Sequence, residues 1–128
     1  MTNNLVAGAY FYGFTAPGHD CGNYASSNFR NNIAHSIQGP GVNFFADPNS
    51  ANSGTCFEGS YFTAYKCAED GAVTYSSTNA VTFSYMTLID NGWGVSLNIG
   101  RESDKLTTLF QNSMVYGETA AKDCWVQN

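Results

Sequence analysis

Charge is what this chain has least of. Only 12% of its 128 residues are Asp, Glu, Lys or Arg, and just five of these are Lys or Arg, leaving a formal net charge of −5. Nucleic-acid binding runs on neutralised phosphates, and no basic run or stripe is present to do it. No window reaches the roughly 18 consecutive apolar residues of a membrane span. The two histidines and the lack of any C-x-x-C pair leave no zinc site of the usual ligand spacing. No Gly-x-Ser-x-Gly elbow occurs, and no Asn-x-Ser/Thr glycosylation acceptor either. Met1-Thr2-Asn3-Asn4 has neither the charged start nor the apolar core of a secretory signal. The expectation is that a signal peptide has been removed ahead of Met1, the rival being a cytosolic protein with its natural start.

What replaces charge is Asn, Ser, Thr and Gly, with aromatics at 15% and hydrophobics at 43%. Strands and turns use those residues well, and long solvated helices do not. One secreted, extracellular β-domain over 1–128 is expected, a size that can bury about two thirds of its unfolded surface. The four cysteines, Cys21, Cys56, Cys67 and Cys124, allow three pairings. Cys56 and Cys67 end one short segment and would pair locally, leaving Cys21 to tie the start of the chain to Cys124. Loop entropy makes such closures worth roughly 3 kcal/mol for the short one and about 4–5 kcal/mol for the long one.

Local patterning gives the elements. Val81, Phe83 and Tyr85 alternate with Thr82 and Ser84; after Asp90-Asn91-Gly92, Trp93, Val95, Leu97 and Ile99 alternate with Gly94, Ser96 and Asn98. Asn-Gly between two alternating runs predicts a β-hairpin around which the rest would pack. Leu5–Phe14 reads as a strand ended by Pro17-Gly18. Its aromatics, Tyr10, Phe11, Tyr12 and Phe14, suit core and cross-strand packing, or alternatively a stacking face for a sugar or other flat ligand. Phe29, Ile33 and Ile37 fit a helix stripe or one face of a strand, and 103–116 is ambiguous in the same way; strand is preferred for both. Val42–Ala46, then Phe57 with Tyr61–Lys66, supply further strands. Asp70-Gly71 predicts a second hairpin, with Val73–Ser77 returning. No internal repeat and no linker is evident. The fold class expected is all-β: a small disulfide-stabilised barrel or sandwich, with room for one short helix.

Chemistry is sparser. His19-Asp20 could form a general base near neutral pH, although a polar turn beside Cys21 is the plainer reading. His19, His35, Glu58 and Arg101 together are similar to the acid–base set of small fungal ribonucleases, which implies RNA hydrolysis as an alternative. No His follows Arg101, and basic residues for a scissile phosphate are few. Most carboxylates fall in turns, without the pairing that glycoside hydrolysis needs. The Asp47/Asn49 and Asp90/Asn91 loops lack the spacing of a calcium loop. No catalytic residue, metal ligand or cofactor is therefore assigned. Contact residues are expected in the polar segments, at His19, Asp20, Tyr24, Asp47, Asn49 and Asn52.

Phe11-Tyr12-Gly13 followed by Pro17-x-His19, Cys56, Tyr65-Lys66-Cys67, Thr82-Phe83-Ser84-Tyr85 and the late Cys124 resemble the Alternaria major-allergen family of secreted fungal proteins. That resemblance implies a β-barrel-like fold and a non-enzymatic effector or elicitor acting on plant hosts. The closer Cys56/Cys67 spacing and the lack of a second cysteine beside Cys124 depart from it. Val42–Asn49 and Ser53–Phe57 look like the opening of a βγ-crystallin-like Greek-key unit, which implies a toxin or antimicrobial module. The functional expectation is a secreted, non-catalytic protein recognising a host protein or cell-wall glycan, with a homodimer left open.

Overall fold

The computed structural model describes residues 1–20, 29–45, 55–74, 80–97 and 107–117. Among these the protein is all-β, with no helix, so no helix is long and apolar enough to cross a membrane. The strands are β1 (Leu5–Ala7), β2 (Phe14–Pro17), β3 (His19–Asp20), β4 (Phe29–Arg30), β5 (Ile33–His35), β6 (Val42–Phe45) and β7 (Thr55–Ser60). They continue as β8 (Thr63–Tyr65), β9 (Asp70–Thr74), β10 (Ala80–Ser84), β11 (Thr87–Ile89), β12 (Trp93–Leu97), β13 (Thr107–Gln111) and β14 (Met114–Tyr116).

Three sheets form. One has the order β1-β5-β8-β11-β14, the second β13-β10-β7-β3 with β4 also on β7, and the third β12-β9-β6-β2. Every pairing is parallel except β3 against β7. Apart from β3 and β4, which both lie on β7, consecutive strands lie in different sheets, and each pairs with its counterpart one circuit away. The chain winds as a parallel β-solenoid, in which each rung contacts chiefly its neighbours.

This pairing corrects several expectations. Val81–Ile99 is not a hairpin: β10, β11 and β12 belong to three different sheets. Asp90 takes the left-handed region (φ 53), but it turns a corner rather than reversing the chain. Asn91 is buried; its Oδ1 accepts from Cys67 N–H and its Nδ2 donates to the Ala64 carbonyl, both at 3.0 Å. The side chain bridges one circuit to the next, satisfying backbone groups that the corner takes out of the ladder. Asp70-Gly71 likewise lies inside β9 rather than in a hairpin turn. The first expected strand is split. Its Tyr10–Tyr12 stretch is not strand, and β2 continues through Pro17, a residue tolerated because β2 is an edge strand. Parallel pairing across three sheets therefore takes the place of a hairpin-built barrel or sandwich. Extended structure rather than helix stands over the described parts of 29–37 and 107–116. Each is broken by a corner, at Asn31 or Asn112, into two short strands of different sheets, with Ile33 facing outward, away from the buried Phe29 and Ile37. No short helix is found among the described residues.

A repeat is also present. Asn31, Tyr61, Tyr85 and Asn112 all have positive φ and sit at the same corner of successive circuits; Ser36, Lys66 and Asp90 do so at the next corner. At the first corner Asn31 N–H donates to Ser60, Tyr61 to Ser84 and Tyr85 to Gln111, each at 3.1 Å. Between the corners Ala34, Ala64 and Leu88 face inward with no exposure. After the second corner, Gly41 and Gly71 lie so near the neighbouring rung that an added Cβ would come within 2.6 Å and 2.7 Å of the next glycine's carbonyl.

The core is aromatic. Phe29 packs edge-on to Phe44 at 5.2 Å and Phe62 at 5.3 Å, and Phe44 meets Phe83 at 5.0 Å. Each such ring, fully buried, stabilises the fold by about 1.5–3 kcal/mol through removal of apolar surface from water.

Cys67 is buried and free, so the expected Cys56–Cys67 bridge is not formed. Cys67 occupies the inward position that Ile37 and Asn91 fill on the adjacent circuits, which takes its sulfur into the core. Cys56 is itself disulfide-bonded. Cys21 and Cys124, and hence their expected pairing, lie outside the described residues.

Candidate functional site

Three exposed aromatics in a row stand out against this core. Tyr10, Phe11 and Tyr12 fall between β1 and β2, where no ladder dictates which way a side chain points, and they are 67%, 70% and 40% exposed. Tyr10 and Phe11 meet edge-to-face, with centroids 4.8 Å apart and planes at 88°, giving two nearly perpendicular walls. Together with Tyr12, Gln38, Gly39, Pro40 and Glu69 they line a cavity of about 300 Å³.

Neighbouring circuits hold this stretch in place. Gln38 N–H donates to the Ala9 carbonyl at 3.0 Å, and Gly13 N–H to that of Pro40 at 3.0 Å. Gly39 lies directly beneath the Phe11 carbonyl, and any side chain there would collide with it. Glu69 comes from the turn before β9, and its own carbonyl accepts from Trp93 N–H at 3.1 Å. The site thus gathers three successive circuits at one corner: apolar ring faces, one amide and one carboxylate. Such a set can stack on a flat ligand face and hydrogen-bond its edge.

A second, smaller groove of about 190 Å³ lies on the second sheet, lined by Arg30, Glu58, Ser60, Thr82 and Ser84 together with Phe29 and Gly59. It is lined mostly by polar residues, and Ser84 Oγ accepts from Gln111 Nε2 at 3.1 Å. Close by, Tyr61 and Tyr85 stack in parallel at 4.7 Å.

The residues expected to make contact are placed as follows. His19 and Asp20 form β3, antiparallel to β7; Tyr24, Asp47, Asn49 and Asn52 lie outside the described residues. Of the ribonuclease-like set, His35 stacks on Tyr65 at 4.7 Å on the first sheet, whereas Glu58 lines the groove of the second. Those two are not brought together, and Arg101 lies outside the described residues. Among the described residues no cluster of His, Cys, Asp and Glu could hold a metal ion. Gln38 and Glu69 escaped sequence reasoning because their link to Tyr10–Tyr12 is a circuit-to-circuit contact with no local signature.

Burial pushes the Cys67 thiol up to about 12, with a backbone hydrogen bond at Ile37 pulling slightly the other way. A thiol so held is no nucleophile at neutral pH.

No family model, curated protein or solved structure matches the chain. Neither the allergen-like nor the crystallin-like resemblance gains a match there. The class that the observations define is a parallel β-solenoid carrying an exposed aromatic pocket.

Proposed function

We propose that this is a secreted, non-catalytic recognition protein that binds a cell-wall glycan through the Tyr10–Glu69 pocket, in the manner of an effector or elicitor. The observation carrying the proposal is the exposure of Tyr10, Phe11 and Tyr12 around one cavity. Large aromatics left in water cost hydration free energy that a ring-stacking ligand recovers. Sugars offer apolar C–H faces for the rings and hydroxyls for Gln38 and Glu69. A single carboxylate lines the described cavity, where the usual glycoside hydrolysis needs two at a set separation; binding without turnover fits that chemistry.

The test is calorimetric titration of the protein with a panel of cell-wall oligosaccharides, alongside product analysis by chromatography. Micromolar to millimolar binding of at least one oligosaccharide is expected, as is usual for one small pocket, with unchanged oligosaccharide recovered. Tyr12→Ala should abolish binding while leaving the circular dichroism spectrum intact. Binding that survives Tyr12→Ala and Tyr10→Ala together would place the ligand elsewhere, and turnover of any oligosaccharide would overturn the non-catalytic reading.

A further inference from the structure

The described pocket wall carries one formal charge, and it is negative. Tyr10, Phe11, Tyr12, Gln38, Gly39 and Pro40 are neutral, and Glu69 is exposed on the same wall. Among the described lining residues there is no Lys or Arg, in a chain with a formal net charge of −5. The negative faces of aromatic rings attract a cation placed over them, and the edge-to-face setting of Tyr10 and Phe11 gives two differently directed surfaces to do so. A carboxylate beside aromatic walls is the composition that holds an organic ammonium group: the rings take its apolar hydrogens, and the carboxylate takes its charge.

Resting on the glycan reading above, we infer that the unit seated in this pocket is a cationic amino sugar, as in a deacetylated amino-glycan, rather than a neutral sugar or a uronate. The sugar's C–H face lies on Tyr12 or Phe11, and its protonated amine faces Glu69. A uronate would bring a second carboxylate to Glu69 with no cation on the described wall to offset it, so the same feature that selects for the amine selects against acidic glycans.

Titration of the full chain with three oligosaccharides of equal length tests this: glucosamine, N-acetylglucosamine and galacturonate oligomers. Mildly acidic buffer of low ionic strength keeps the amine protonated. The glucosamine oligomer should bind roughly five- to tenfold tighter than the acetylated one, and the galacturonate oligomer should not bind. Glu69→Gln should remove the glucosamine advantage while leaving affinity for the acetylated oligomer within twofold. Added salt should weaken the glucosamine complex selectively. Equal affinity for the charged and acetylated oligomers, or a Glu69→Gln variant that keeps the preference, would overturn the amino-sugar inference and leave glycan recognition standing. Failure of all three oligomers to bind, together with every other sugar on the panel, would overturn both.

Discussion

Two clusters of aromatic side chains in this protein behave oppositely. Phe29, Phe44, Phe57, Phe62 and Phe83 are nearly or fully buried and touch one another across the solenoid's interior; Tyr10, Phe11 and Tyr12 stand in water at its corner. The difference does not lie in the chemistry of the rings, since Phe11 is exposed and Phe83 is not. It lies in the backbone. Phe29, Phe44, Phe57 and Phe83 lie on strands whose parallel ladder fixes alternate side chains inward. Phe62 fills the two-residue corner between β7 and β8, where Tyr61 N–H donates to the Ser84 carbonyl and the Phe62 carbonyl accepts from Thr87 N–H. Tyr10–Tyr12 lies between strands, pinned through Gly39 and the Ala9 and Pro40 carbonyls, and its rings are left to line a cavity. One cluster stabilises the fold and the other is available for recognition.

Substitutions can break this contrast, and the largest effect should come from the core. Phe83→Ala, at a residue with no exposure and a neighbour at 5.0 Å, should cost about 3–5 kcal/mol in urea denaturation. Asn91→Ala should cost about 1–3 kcal/mol by the same measurement. It removes two buried hydrogen bonds and leaves the Cys67 N–H and the Ala64 carbonyl without them. Gly39→Ala probes the seat of the exposed cluster. Overpacking against the Phe11 carbonyl should cost about 1–3 kcal/mol and should also weaken glycan binding, although the rings, Gln38 and Glu69 are unaltered.

A pH effect follows from Cys67. Its thiol is neutral in the folded chain up to about pH 12, while the unfolded thiol ionises near 9.0. Stability from this group is complete below pH 9 and is lost as pH rises toward 12, because only the unfolded state releases the proton. By pH 10 the loss is about 1 kcal/mol, measured as the difference in alkaline slope between the native chain and Cys67→Ala. The smallest effect belongs to the pocket. Tyr10→Ala and Tyr12→Ala should each leave stability within about 0.5 kcal/mol, and a loss resembling that of Phe83→Ala would show the two clusters to be one core.

The all-β class was legible because short alternating runs punctuated by Asn, Gly and Ser admit little else. The stacking role of Tyr10–Tyr12 was legible as one of two alternatives, since rings that can pack can also stack on a ligand. The repeat was not. Its corner position is Asn in three circuits and Tyr in two others, at unequal intervals from Asn3 to Asn31 to Tyr61 to Tyr85 to Asn112, because what recurs there is a left-handed backbone, with an N–H donated to the next circuit at the first four. A tyrosine at positive φ gives no sequence signal of a turn, whereas Asn91-Gly92 gives a strong one for a hairpin that does not form.

Composition alone settled strand over helix as the class and a low share of charge, but not the strand limits, since Tyr10–Tyr12 read as strand and Asp70-Gly71 as a turn. Pairing partners were a tertiary decision. A strand with a buried inward face can satisfy its backbone against a neighbour in the next sequence segment or one a full circuit away, and local pattern does not tell these apart. Here the one-circuit pairing was decided by contacts no local window contains: Asn91 reaching back to Cys67 and Ala64, Asn32 holding Asn4 and Met1, and glycines letting adjacent circuits close. The pocket followed from that choice, because only stacked circuits bring Tyr10, Gln38 and Glu69 to one corner.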